Sequence, residues 1–108
     1  GTAAEAGAAV IVIVVDNGIY GTIRMHQERE YPGRVSATGL VNPDFAMLGA
    51  AYGAFTARVE TDADFEPAFQ AAVASGRLAL LHLKTDPEAI TPATTLAAIR
   101  AAALSRKA

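Results

Sequence analysis

Between residues 16 and 21 the chain reads Asp16-Asn17-Gly18-Ile19-Tyr20-Gly21, which sets a carboxylate, an amide and several backbone carbonyls close together. These are hard oxygen donors. They suit magnesium, which keeps several of its waters and binds phosphate oxygens together with few protein ligands. Gly18 can accept the positive φ that a sharp exit needs. The same residue types also make an ordinary turn, because Asp, Asn and Gly each favour one for local reasons, and on composition alone the turn is the commoner meaning.

The elements around this stretch decide what it can do. Ala9 to Val15 is an unbroken apolar run rich in β-branched residues, the pattern of a strand covered on both faces by helices, and it is expected at the centre of the sheet. Its carboxyl end leads into Asp16, and in an open parallel sheet ligands bind outside the carboxyl ends of the strands. From Ile19 to about Glu30 a short helix is predicted with Ile19, Ile23 and His26 on one side and Arg24, Gln27, Glu28 and Arg29 in solvent, ended by Tyr31-Pro32-Gly33. Asn42-Pro43-Asp44 supplies a cap residue and a first-turn proline for a further helix with Phe45, Leu48 and Tyr52 at helical spacing and Gly53 at its end.

A second strand is predicted over Ala54 to Val59, then a helix from Thr61-Asp62-Ala63-Asp64 with Phe65, Phe69, Ala72 and Val73 as its apolar stripe, stopped by Ser75-Gly76. A third strand follows over Leu78 to Leu83. Strands that alternate with helices imply parallel pairing through right-handed crossovers, hence a three-layer α/β/α fold around a short parallel sheet. After Asp86-Pro87 and Thr91-Pro92 an alanine-rich helix is expected over residues 94–106, with Leu96, Ile99, Ala103 and Leu104 as a narrow stripe that packs back or mediates association. Residues 1–7 read as the end of a helix, and 1–108 as a single domain.

Composition narrows the function classes. Nine basic and eleven acidic residues are mixed along the chain and leave a formal charge of -2, so there is no basic stripe for nucleic acid. The absence of cysteine removes disulfides and thiolate metal sites, and with them the usual supports of a small secreted scaffold, so a cytoplasmic setting is expected. The longest apolar stretch, Ala8 to Val15, falls far short of the roughly 20 residues a membrane-spanning helix needs. No Gly-x-Gly-x-x-Gly or Gly-Lys-Thr loop follows a strand, which argues against a mononucleotide-binding domain.

Other titratable residues carry weaker signals. His26 lies on a polar helix near the loop and is read as a surface residue, whereas His82 lies within a strand and is read as structural; neither shows a catalytic partner in sequence. Arg24, Arg29 and Arg34 could attract an anion, but Glu28 and Glu30 offset them, and a solvated mixed-charge helix is the preferred reading. Glu5, Glu28, Glu30 and Glu88 are all expected in solvent.

Residues 12 to 24, Val-Ile-Val-Val-Asp-Asn-Gly-Ile-Tyr-Gly-Thr-Ile-Arg, resemble the second half of the thiamine-diphosphate motif, which ends in paired asparagines after an apolar strand. The resemblance continues through Asn42-Pro43-Asp44-Phe45, Ala51-Tyr52-Gly53-Ala54 and Asp86-Pro87, and so covers nearly the whole chain. It is similar to the C-terminal cofactor domain of the acetolactate synthase, benzoylformate decarboxylase and oxalyl-coenzyme A decarboxylase group. The resemblance implies that Asn17 binds magnesium through its side-chain oxygen and Ile19 through its main-chain carbonyl. Gly18 permits the turn between them, and Tyr20 and Gly21 pass the diphosphate. Asp16 replaces the commoner asparagine; its carboxylate either faces the metal or, the preferred alternative, caps the following turn.

The family's Gly-Asp-Gly half of the site lies further upstream than the sixteen residues that precede Asn17 here, and no glutamate in the chain matches the one that activates the cofactor. The expectation is therefore a truncated thiamine-diphosphate-binding fold, the C-terminal part of the domain. Its parent would use thiamine diphosphate and magnesium on a small 2-oxo acid or similar carbonyl substrate, by decarboxylation or carboligation. The chain supplies no catalytic residue, is inactive alone, and is expected to form a homo-oligomer through its uncovered surface. The rival is a non-catalytic α/β interaction or structural module in which Asp16-Asn17-Gly18 is only a turn.

Overall fold

The computed structural model describes residues 1–107, which run α1 (Thr2–Glu5), β1 (Ile11–Asp16), α2 (Gly21–Glu30), α3 (Phe45–Ala51), β2 (Phe55–Val59), α4 (Asp62–Ala74), β3 (Ala79–Lys84) and α5 (Leu96–Lys107). They form two compact units. One joins Gly1–Asp16 to Asn42–Lys84; the other joins Asn17–Val41 to the residues from Thr85 onward.

The first unit contains the sheet, in the order β1-β3-β2 with both pairs parallel. Ile11 and Phe55 both face Ala79 across the ladders, so Ile11, Phe55, Ala57, Ala79, Leu81 and Leu83 share one face. Ala68, Phe69 and Ala72 of α4 pack on that face, around a core in which Ala79 and Leu81 are fully buried. The opposite face receives α3: a methyl group placed on Gly49 would lie 2.9 Å from Leu80 Cβ and from Thr56 Cγ2, so the helix backbone rests directly on the sheet. Helices on both faces of a parallel sheet give the expected α/β architecture. Small side chains, Ala46, Ala72 and Gly49 among them, fill the contacts where larger ones would hold the layers apart.

Capping chemistry sets the helix starts. Thr61 and Asp64 form a reciprocal capping box, with Thr61 N and Oγ1 both donating to Asp64 Oδ2 at 3.0 and 2.7 Å, and this opens α4 where expected. At α3 the cap is Asp44, whose Oδ1 accepts from Met47 N at 3.1 Å, and not Asn42; Pro43 therefore lies outside the helix rather than in its first turn. Leu48 and Tyr52, expected on the apolar stripe of α3, are about half exposed, and Ala46 and Gly49 face inward in their place. Close helix-to-sheet approach selects the small residues.

The position of β1 also differs from expectation. It is an edge strand, with Val12, Ile13 and Val15 exposed at 41%, 42% and 66%, and β3 is central. A run apolar on both faces reports what would cover the faces but not how many strands pair at the edges, which is why β1 and β3 could not be ranked from sequence.

In the second unit α2 packs on α5. Ile23, expected on the inner stripe, is 54% exposed, while Glu28, expected in solvent, is 1% exposed. The inner side of α2 is thus built on charge. On α5, Leu96 and Ala103 are buried as expected, but Leu104 is 53% exposed. The helix begins at Leu96, where Thr95 Oγ1 accepts from Ala98 N at 3.1 Å and Glu88 Oε2 accepts from Ala97 N at 2.8 Å. Glu88 is therefore a cap, not a free surface charge. No helix among the described residues is long and apolar enough to cross a membrane.

Candidate functional site

The five residues expected to meet the cofactor form a single turn in the second unit. Asn17 Oδ1 accepts from Ile19 N at 3.2 Å, and Gly18 between them has φ +68°, a conformation that L side chains rarely adopt. The turn is braced by one strand-like pairing: Ile19 bridges Gly39 antiparallel, Leu40 N donates to Gly18 O at 2.8 Å and Tyr20 N donates to Thr38 O at 3.0 Å. Thr38 is almost fully buried. Tyr20 is the N-cap of α2 and gives no side-chain hydrogen bond to the helix's first amides, while its ring is 51% exposed.

Gly21 opens α2 in a confined place. A methyl group there would lie 2.7 Å from Ile90 Cδ1 and 3.2 Å from Asn17 Nδ2. That side of Gly21 is taken by Ile90 and Asn17, and it is the first-turn amides of the ten-residue helix that suit the approach of an anionic group. An amide oxygen keeps a second lone pair when it accepts one hydrogen bond, so Asn17 can accept from Ile19 N and still offer an oxygen to a cation. Oxygen donors of this kind fit magnesium beside a diphosphate, and Asn17 and the Ile19 carbonyl are the groups of this turn that could offer them. Among the described residues no group of three or more His, Asp or Glu side chains is arranged to hold a metal.

Within the first unit, sequence reasoning missed a polar cluster at the carboxyl ends of the strands. Asp16, 4% exposed, accepts from Asn42 Nδ2 at 2.7 Å through Oδ1, and its Oδ2 meets His82 Nε2 at 2.9 Å and Lys84 Nζ at 2.6 Å. His82 is 3% exposed, stands edge-on to Phe45 with ring centroids 5.1 Å apart, and has no described hydrogen-bond partner at Nδ1. His82 thus has a carboxylate partner that 66 positions of separation hide. The signal lay in the alternation of β3, which puts His82 and Lys84 on one side of the strand with Asp16 opposite Lys84. Asn42 serves here rather than at a helix cap. Asp44 forms an ion pair with Arg58, beside His82 and Lys84 in a cleft of about 260 Å³.

In the second unit Glu28 is the focus. Its carboxylate accepts from Arg100 Nε and Nη2 at 2.8 and 2.6 Å, from Arg24 Nε at 2.9 Å and from the Gly33 amide at 2.9 Å. The Arg100 guanidinium, more than burial can oppose, holds the Glu28 carboxyl down to about 2, with Gly33 and Arg24 assisting. Only the spacing of Arg24 and Glu28, one helical turn apart, hinted at this in sequence. His26 remains on the exposed side of α2, its Nδ1 3.4 Å from Arg29 Nη1, and Arg34 lies over the Tyr31 ring at 5.8 Å. The three arginines therefore do not act together: Arg24 belongs to Glu28, and the other two are surface groups.

Residues 1–83 match the family model described as thiamine pyrophosphate enzyme, C-terminal TPP binding domain. The chain is also similar to the acetolactate synthase large subunit of Haemophilus influenzae, with 30% identity over 87 residues, covering 79% of this chain and 15% of that protein. It thus spans about 15% of the length of that curated relative.

Proposed function

The chain belongs to the C-terminal TPP-binding domain family of thiamine pyrophosphate enzymes, and from that premise we propose that it supplies part of the magnesium and diphosphate site of an enzyme acting on 2-oxo acids or related carbonyl substrates, by decarboxylation or carboligation. Thiamine diphosphate, when bound, supplies the electron sink for making or breaking a carbon–carbon bond beside a carbonyl.

In this proposal Asn17 gives magnesium its side-chain oxygen and Ile19 its main-chain carbonyl. Gly18 makes the turn between these two donors, and Tyr20 and Gly21 line the diphosphate. The observation that supports it is the Asn17–Ile19 turn itself: a left-handed glycine between two oxygen-bearing residues, directly followed by the start of a ten-residue helix. No residue of this chain is placed at the reacting atoms. The remaining metal ligands and the cofactor-activating group come from outside these 108 residues, so the chain alone is expected to show no turnover.

The test is calorimetric titration with thiamine diphosphate, with and without magnesium, for the chain and for its full-length parent, each as wild type and as Asn17→Ala. The parent is expected to bind cofactor only when magnesium is present, and Asn17→Ala is expected to abolish that dependence. Magnesium-dependent binding that survives Asn17→Ala in the parent sinks the ligand assignment.

A further inference from the structure

The family match ends at residue 83, yet the unit that contains the turn is completed by residues from Thr85 onward. Ile90 belongs to that added segment, and a methyl group on Gly21 would stand 2.7 Å from its Cδ1 and 3.2 Å from the Asn17 amide nitrogen. Ile90 is itself held. Its N–H donates to Glu88 O at 2.9 Å, Leu96 N donates to the same carbonyl at 3.2 Å, and Glu88 Oε2 caps α5 through Ala97 N. The paired bonds from Arg100 to Glu28 then fix α5 on α2.

We propose that Ile90 is a positioning residue for the cofactor turn: its side chain, packed against Gly21, keeps the Gly21 backbone beside the Asn17 amide and so holds Asn17 in the rotamer that accepts from Ile19 N and presents its remaining lone pair to the metal. This rests on the assignment of Asn17 to magnesium made above. The physical basis is that a short polar side chain on a turn has several rotamers, and a ligand group binds tightly only when packing has already removed the unproductive ones. A segment outside the matched family residues thereby shapes the site.

The test is a size exchange read in the cofactor-free chain by amide hydrogen exchange of Ile19, relative to Leu81 in β3, and then by magnesium-dependent binding of thiamine diphosphate to the full-length parent. Gly21→Ala adds the methyl group that meets Ile90 Cδ1, and Ile90→Val removes that atom. Gly21→Ala is expected to speed Ile19 exchange about tenfold and Ile90→Val about threefold, whereas the double variant returns to within about twofold of wild type, because residues in contact are non-additive.

Additive effects, or Ile19 exchange unchanged in both single variants, would overturn the proposal. If Gly21→Ala fails to fold, Ile90→Val and Ile90→Ala decide it: faster Ile19 exchange graded with the atoms removed supports the proposal, and unchanged exchange overturns it. Coupled exchange in a parent that shows no magnesium-dependent cofactor binding would leave the positioning role intact and remove the function proposed for the turn.

Discussion

Glu28 and His82 show how much a single polar side chain can organise once it is buried. The Glu28 carboxyl is held down to about 2, below its ordinary value of 4.5, so the stability it contributes is fully present above about 4.5 and is lost as the pH falls through about 2. Glu28→Gln is expected to cost about 1.5–3 kcal/mol at pH 6, the range for hydrogen bonds to a charged partner. That cost should shrink steadily between pH 4.5 and pH 2, as read from urea midpoints of the two proteins across the range. His82→Leu leaves the buried Asp16 carboxylate without one of its partners and is expected to cost about 2–3 kcal/mol in thermal unfolding. Lys84→Met removes an ammonium that is 52% exposed and is expected to cost less than about 1 kcal/mol. Equal losses for His82→Leu and Lys84→Met would contradict this ranking. The sequence named Asn17 and Gly18 because a local turn is encoded within a few positions. It could not name Glu28 with Arg100, or Asp16 with His82, because those pairs exist only once distant segments are brought together.

At the scale of elements, α3 and α4 depend on different features. On α3, Gly49 lets the helix rest on Leu80 and Thr56 with no room for a methyl group, which would stand only 2.9 Å from each of them. Gly49→Ala improves helix propensity by roughly 1 kcal/mol but forces the layers apart at a cost of about 1–3 kcal/mol. The net expectation is a lower melting temperature, and a rise would show that α3 can move off the sheet freely. The start of α4 depends on its cap, so Thr61→Ala is expected to cost about 1 kcal/mol in denaturant unfolding. The sequence revealed this cap because Thr61 and Asp64 are three residues apart. It misplaced the start of α3 because both Asn42 and Asp44 are good cap residues, and only the buried Asp16 carboxylate decides which of them is drawn away.

At the scale of the molecule, β1 leaves Val12, Ile13 and Val15 exposed on an edge strand. An uncovered apolar edge favours association, and we propose that the chain self-associates through it. Light scattering is expected to give a mass above the 11.1 kDa of one chain, and Val15→Lys is expected to lower it; a wild-type monomer at high concentration would refute this.

By itself the sequence determined the alternation of strands and helices, the parallel sheet that this alternation imposes, the family and the turn after β1. Each of these is written in periodicity or in neighbours along the chain, which local sterics and hydrogen bonding convert directly into structure. Only the tertiary structure decided that β3 and not β1 is central, that α2 turns a carboxylate inward, that Asp16 is held by His82, Lys84 and Asn42, and that Ile90 sits against Gly21. Those outcomes depend on which distant groups compete for the same buried space and the same lone pairs, and a linear pattern does not rank that competition.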